Sequence, residues 1–166
     1  MQITEFNHIV HKIKDKMYRI AFRVVRNHEE ACDVVQESLV KIWKKWDKLS
    51  EVENKEAYCM TITRNMAIDQ YRSKKMDTSN IDQHYDLKSG AANPERSIIA
   101  KDELKSVRAF INNLPEHHRA VLELRDIEGY SYKEISDITE YSLEQVKVYL
   151  FRARLRIKEH FNISVS

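Results

Sequence analysis

Glycine and proline are nearly absent from this chain, with two of each in 166 residues, where average usage would supply roughly 12% for the pair. A fold rich in hairpins needs Asn-Gly, Asp-Gly or Gly-Gly turns, and no such dipeptide occurs. Sandwiches and barrels are therefore excluded. Gly90 and Gly129 stand alone, which also excludes a glycine-rich phosphate loop. Apolar residues make up 42% of the chain, enough to bury a core. The reading is an all-α protein with few long loops.

Apolar spacing then places the helices. Phe6, Ile9, Val10, Ile13, Met17, Ile20, Ala21, Val24 and Val25 fall in steps of three and four, a helical stripe. Asn27 followed by Glu30 ends that helix and caps the next, whose stripe is Ala31, Val34, Val35, Leu39, Ile42, Trp43 and Trp46. A polar loop over about 47–54 comes after it. Asn54 caps a third helix to about Lys75, with Tyr58, Ile62, Met66 and Ile68 inward. Residues 76–93 are polar and lack periodicity, so they read as a flexible linker. Asn93-Pro94-Glu95 restarts a helix, with Ile98, Ile99, Leu104, Val107, Phe110, Ile111 and Leu114 as its stripe. Pro115 opens another, with Val121, Leu122 and Leu124 inside and Gly129 as its C-terminal cap. The expected layout is two small helical domains, 1–75 and 94–166, joined by the linker 76–93.

Charge follows the same division. Residues 1–76 carry 15 Lys/Arg against 11 Asp/Glu, a net of +4; residues 77–103 carry 3 against 6, net −3; residues 104–166 carry 10 against 9, net +1. Within the last part Lys147, Arg152, Arg154, Arg156 and Lys158 fall in twelve residues with no acid. Two basic bodies joined by an acidic tether are a layout that the function has to explain.

Ser131-Tyr132-Lys133-Glu134 is a capping box that starts a short helix with Ile135 and Ile138 inward. After a turn of about four residues, Ser142-Leu143-Glu144-Gln145 is a second box. It opens a longer helix with Val146, Leu150, Ala153 and Ile157 on one face and basic side chains on the others. A short helix, a tight turn and a long basic helix make the helix-turn-helix layout. In such a helix Glu144 and Lys147 reach base edges and the later arginines meet phosphates or brace the helix. The alternative is a helical pair with a solvated arginine-rich face.

In the first domain Asp33, Gln36 and Glu37 share one helix face at i, i+3 and i+4. Taken alone, that spacing reads as a solvated acidic face. The third helix mixes aromatics with Arg64, Asn65, Asp69 and Arg72. Planar and cationic groups of this kind suit single-stranded DNA, though Asp69 and Arg72 at i, i+3 could also pair with each other. Cys32 and Cys59 stand 27 positions apart, which suggests neither a disulfide framework nor a zinc site. His8 with His11, and His117 with His118, lack further ligands, so no metal and no cofactor are expected. No signal peptide and no apolar run of membrane-spanning length is read, and the cytoplasm is the expected location.

Three stretches carry a resemblance. They are Ala31-Cys32-Asp33-Val34-Val35-Gln36-Glu37-Ser38-Leu39 with Trp43 after it; Ile62-Thr63-Arg64-Asn65-Met66-Ala67-Ile68-Asp69-Gln70-Tyr71-Arg72; and Leu114-Pro115-Glu116 through Ser131-Tyr132-Lys133-Glu134-Ile135-Ser136 to Val146-Lys147-Val148-Tyr149-Leu150-Phe151-Arg152-Ala153-Arg154. In order and spacing they resemble the extracytoplasmic-function sigma factors of bacterial RNA polymerase, over nearly the whole chain except the linker. The resemblance implies a promoter-specificity subunit with no catalysis of its own. Its partners would be core RNA polymerase (clamp helices and flap), promoter DNA and an anti-sigma factor. Residues 1–75 would bind the clamp helices through Asp33, Gln36 and Glu37. They would melt the −10 element through Arg64, Asn65, Asp69 and Arg72, with the loop 47–56 pocketing a flipped base. Residues 94–166 would read the −35 element through Ser142, Glu144, Lys147, Tyr149, Arg152 and Arg154.

The sequence departs from the family at two points. Glu140 stands where the family usually has glycine in the helix-turn-helix turn, and Val148-Tyr149 come after Lys147 where Ser-Arg is frequent. The rival reading from another class is a stand-alone helix-turn-helix regulator with a helical sensor domain. It would need a dimer face or ligand pocket in residues 1–75. An all-α hydrolase would need a nucleophile with a neighbouring base or a metal cluster, and the sequence offers neither.

Overall fold

The computed structural model describes residues 2–77 and 98–162, and these are helical throughout apart from short connections. The chain divides into two compact units, Met1–Leu87 and Lys88–Ser166. Most of the expected linker, and the Asn93-Pro94-Glu95 start, lie outside the described residues.

The first unit packs helices α1 (Gln2–Val25), α2 (His28–Lys44) and α3 (Lys55–Asp77) against one another. Helix α1 ends because Arg26 takes a left-handed conformation, φ 53°, and its N–H donates to Phe22 O at 2.7 Å. Asn27 then caps α2, accepting from Glu30 N at 3.1 Å. A two-residue connection of this kind turns the chain back at once, so Ala21 and Val25 of α1 bury against Ala31 and Val34 of α2 and Ala67 of α3. Ion pairs tie α1 to the start of α3: Lys16 Nζ donates to Glu56 Oε1 at 2.8 Å, and Lys55 Nζ to Glu5 Oε1 at 2.5 Å. Both pairs are partly exposed, worth about 0–1 kcal/mol each.

The expected polar loop at 47–54 is in large part a 3-10 helix, Trp46–Glu51. The i, i+3 pair Trp46 and Leu49 is buried, and the 3-10 repeat stacks these two side chains on one side. Trp43 corrects another expectation. It is 42% exposed rather than inward, held edge-on by Phe6 at 4.9 Å, while Trp46 fills the interior. In α3 the buried face is Ala57, Cys59, Met60, Ile62, Thr63, Arg64 and Ala67. Tyr58, Met66 and Ile68 are only half-buried. The core therefore takes polar atoms: Thr63 Oγ1 donates back to Cys59 O at 2.8 Å, and Ser38 Oγ to Met66 Sδ at 3.4 Å.

The second unit holds α4 (Ile98–Asn112), α5 (Glu116–Leu122), α6 (Tyr132–Thr139) and α7 (Leu143–Phe161). Helix α5 runs on into a π-helical turn, Glu123–Ile127. Glu128 N donates to Glu123 O and Tyr130 N to Leu124 O, each at 3.0 Å. Gly129 closes the turn at φ 80°; nothing lies within 4 Å of where a Cβ would be, so glycine is required by conformation and not by space. Helices α5 and α6 both pack on α7, burying Val121, Leu122, Leu124, Ile135, Ile138, Val146, Leu150 and Ala153. Helix α4 meets the end of α7 through Phe110, which stacks on His160 at 4.2 Å. Leu104, expected inward, is half-exposed.

Candidate nucleic-acid interface

On α2, burial of Ala31, Val34, Ser38 and Ile42 turns the opposite face outward. Asp33, Gln36 and Glu37 all lie exposed on that face. Val40, 55% exposed, and Trp43 continue it one and two turns on. The sequence reading missed Val40, although its i+3 and i+7 spacing from Glu37 and Asp33 is the signal that places it there. Carboxylates and an amide beside bare apolar side chains make a mixed surface of the kind that docks a protein.

On α3 the structure separates the four DNA candidates. Asn65, Asp69 and Arg72 are exposed at i, i+4 and i+7. Arg64 is buried on the core side, 9% exposed, beside Thr63 and Ala67. No ion pair among the described residues joins Asp69 to Arg72. Asp69 and Glu37 line one shallow groove between α3 and α2, with Met66 and the Glu30–Lys74 ion pair. The two candidate surfaces of this unit therefore share an edge. Asn54 caps α3 by accepting from Ala57 N at 2.9 Å, leaving Asp47, Lys48, Ser50, Glu51 and Glu53 as the exposed part of 47–56.

In the second unit both capping boxes form. Ser131 Oγ accepts from Glu134 N at 3.1 Å, and Glu134 Oε2 accepts from Ser131 N at 2.7 Å. Ser142 Oγ accepts from Gln145 N at 3.1 Å, and Gln145 Oε1 accepts from Ser142 N at 2.9 Å. Such caps stabilise a helix start by about 1 kcal/mol each. They present α7 with Glu144 and Lys147 exposed in its first two turns. The sequence reading missed Phe151, 67% exposed one turn beyond Lys147 and on its side of the helix; Leu143, Lys147, Phe151 and Arg154 step by four, four and three along a row that flanks the buried Val146, Leu150 and Ala153, about 90° round the helix from them.

Arg152 is exposed. Arg154 forms a fork on Asp126, with Nε donating at 3.1 Å and an NH2 group at 2.6 Å. That hydrogen bond raises its already high pKa further, partly offset by burial. Tyr149 is half-buried in a ring cluster: it stacks on His117 at 5.4 Å, meets Tyr141 edge-on at 5.3 Å and lies 5.7 Å from His118. His117 Nδ1 and the Tyr141 hydroxyl share a hydrogen bond of 2.7 Å. His118 is buried, its Nδ1 has no partner, and its pKa is lowered by that burial, then by Arg156, Arg152 and His117.

Among the described residues no three His, Cys, Asp or Glu side chains converge as metal ligands. Burial, then Glu56, pushes the Cys59 thiol up to about 11, leaving it protonated at neutral pH. No helix among the described residues is long and apolar enough to cross a membrane.

Two family models match the chain. Sigma-70 region 2 matches residues 9–76, and Sigma-70, region 4 matches residues 104–157. The chain belongs to the sigma-70 family. Similar curated proteins include the ECF RNA polymerase sigma factor SigW of Bacillus subtilis, 25% identical over 163 residues, covering 93% of this chain and 87% of the relative. The RNA polymerase sigma factor SigZ of the same organism is 32% identical over 127 residues, covering 76% and 70%. In fold, the chain is similar to the sigma factor RpoE solved with the anti-sigma factor NepR from Bartonella quintana, with TM-score 0.78 and 22% identity over 97% of this chain and 99% of that one. CnrH, solved with the cytosolic domain of CnrY, gives TM-score 0.67 at 21% identity over 95% and 87%. The protein is an RNA polymerase sigma factor of the extracytoplasmic-function group, and the stand-alone regulator is not favoured.

Proposed function

We propose that the first unit binds the core polymerase clamp helices through α2 and opens the −10 element through α3, while the second unit reads the −35 element as duplex through α7. On this reading the domains are 1–75 and 94–166, and the acidic segment 76–93 joins them. Asp33, Gln36 and Glu37 dock the polymerase together with Val40 and Trp43. Asn65, Asp69 and Arg72 face the opened strand, and Arg64 anchors α3 from the core side. Glu144 and Lys147 read base edges under the Ser142 cap, Arg152 meets phosphate, and Arg154 braces α7 against Asp126. The flap and an anti-sigma factor complete the partners. The polymerase supplies the chemistry, so this subunit has no catalytic activity, and it acts in the cytoplasm.

The observation that carries the reading is the exposed α2 face, where three polar side chains adjoin Val40 and Trp43. The test is competition for core polymerase against a labelled wild-type chain. Because these side chains are exposed, Asp33→Arg and Gln36→Ala should weaken assembly while the melting temperature hardly moves; about tenfold is expected for the charge reversal. Wild-type affinity in both variants would remove the docking assignment.

A further inference from the structure

We propose that His117, Tyr141 and Tyr149 form a clamp that sets the roll of α7 on its unit, making them positioning residues for −35 recognition. The inference deepens the reading of the second unit as a duplex reader and rests on it.

The need for a clamp begins in the turn between α6 and α7. Glu140 occupies the left-handed region there, φ 65°, with no glycine to relax it. The next residue is held on every side. Tyr141 O accepts from Ser136 Oγ at 2.6 Å, Tyr141 N donates to Thr139 Oγ1 at 3.3 Å, and its hydroxyl bonds His117 at the start of α5. Tyr149 then joins α7 to the same imidazole, its ring lying within 18° of parallel to His117 and edge-on to Tyr141. Three elements adjacent in the fold but up to 32 positions apart in sequence (α5, the turn and α7) thus meet at one ring cluster.

The geometry connects this cluster to base reading. Residues two apart on a helix point about 200° from each other. With Tyr149 turned to α5, Lys147 is turned to solvent, as its exposure shows. A roll of ~20° would carry a side-chain tip at ~6 Å from the helix axis through ~2 Å. A bidentate base contact tolerates roughly 0.5 Å. The buried Val146, Leu150 and Ala153 supply the hydrophobic seam; such aliphatic contacts fix distance better than roll, whereas stacked and edge-on rings fix orientation.

The test uses holoenzyme reconstituted with wild-type chain, His117→Ala, Tyr141→Phe, Tyr149→Ala and Tyr149→Phe. Each is bound to a pool of duplexes randomised across the upstream promoter element, and the retained sequences are read. Amide exchange of α5 and α7 is followed in parallel. The first and third variants should lose about tenfold of the preference for the best duplex over its single-base neighbours. Tyr141→Phe should lose part of it through the hydroxyl alone, and Tyr149→Phe should keep it. Binding to unrelated duplex and amide protection should hardly change; His117 is exposed, so its removal leaves the core intact. Wild-type preference in His117→Ala and Tyr149→Ala would overturn the proposal. So would loss of preference that tracks loss of amide protection in both, which would make the cluster merely structural. A wild-type holoenzyme with no upstream preference would overturn the duplex-reading assignment itself, and the clamp with it.

Discussion

Replacing Glu140 by glycine should stabilise the second unit. Helix α6 ends at Thr139 with Glu140 as its left-handed cap, φ 65° and ψ 10°, and the Glu140 N–H donates to Ser136 O at 2.9 Å. A side chain in that region costs about 1–2 kcal/mol through contact between Cβ and the following carbonyl. Glycine removes the contact but loses more backbone freedom on folding, about 0.5–1 kcal/mol. The exposed Glu140 side chain enters no hydrogen bond or ion pair among the described residues, so nothing else is lost. The net gain is about 0.5–1 kcal/mol, which for a unit of this size is an upward shift of about 3–6 °C in Tm. The measurement is thermal unfolding of the full chain, with amide exchange in α6 and α7 to assign the transition. Glu140→Ala is the control, since alanine keeps the Cβ and should leave Tm unchanged. If glycine is no more stable than alanine, the turn is not strained and the argument fails.

Other expected outcomes rest on the same geometry. Arg72→Ala should leave holoenzyme assembly intact but reduce permanganate-reactive thymines at a promoter the protein uses; wild-type reactivity would mean that Arg72 does not serve strand opening. Lys147→Ala should cost about 1–3 kcal/mol on the preferred upstream duplex and flatten base preference at one or two positions. Arg152→Ala should weaken all duplexes alike and lower the salt slope by about one; uniform loss in both variants would make Lys147 a phosphate contact. Arg154→Ala and Asp126→Ala should each destabilise by no more than about 1 kcal/mol, the pair being half-exposed, and a double-mutant cycle should find them coupled. His118 predicts sensitivity to acid. Its pKa is lowered in the folded state by burial and by Arg156, Arg152 and His117, so as pH falls below the ordinary value of 6.5 the unfolded chain takes the proton first. Stability is then full above that value and declines below it. Denaturant unfolding of His118→Gln across about pH 5–8 should show a flatter profile than wild type, and parallel profiles would refute the assignment.

The parts of this molecule legible in the sequence are those governed by neighbours a few residues away. Asn27, Asn54, Ser131 and Ser142 announce helix starts because a cap is a local hydrogen bond, and each one forms. Ile135 and Ile138 read correctly as an inward pair for the same reason. Trp43 departs from its expected place because the α2 stripe is wider than the face its two partner helices can cover. Once Trp46 fills the interior, Trp43 remains against Phe6 at the rim. Arg64 departs from expectation because charge suggests exposure, whereas α3 buries Thr63 and Arg64 in a face that apolar periodicity alone does not outline. The site contacts hidden from the sequence are long-range. Tyr149 meets His117 across 32 positions and Arg154 meets Asp126 across 28, and spacing rules say nothing at that separation.

The π turn at Glu123–Ile127 bears on which changes of length the second unit can accept. It holds one residue more than the α-helical turn it replaces, a surplus that is confined to this turn. Removing one residue from this stretch would convert it to regular helix and leave Gly129, the Ser131 cap and the whole helix-turn-helix in register. Removing one residue from within α5 or α7 would instead turn every later side chain by about 100°, carrying buried positions to the surface. Among the helical stretches described for this unit, a one-residue deletion is therefore best accepted in these five residues, just ahead of the glycine that closes the turn.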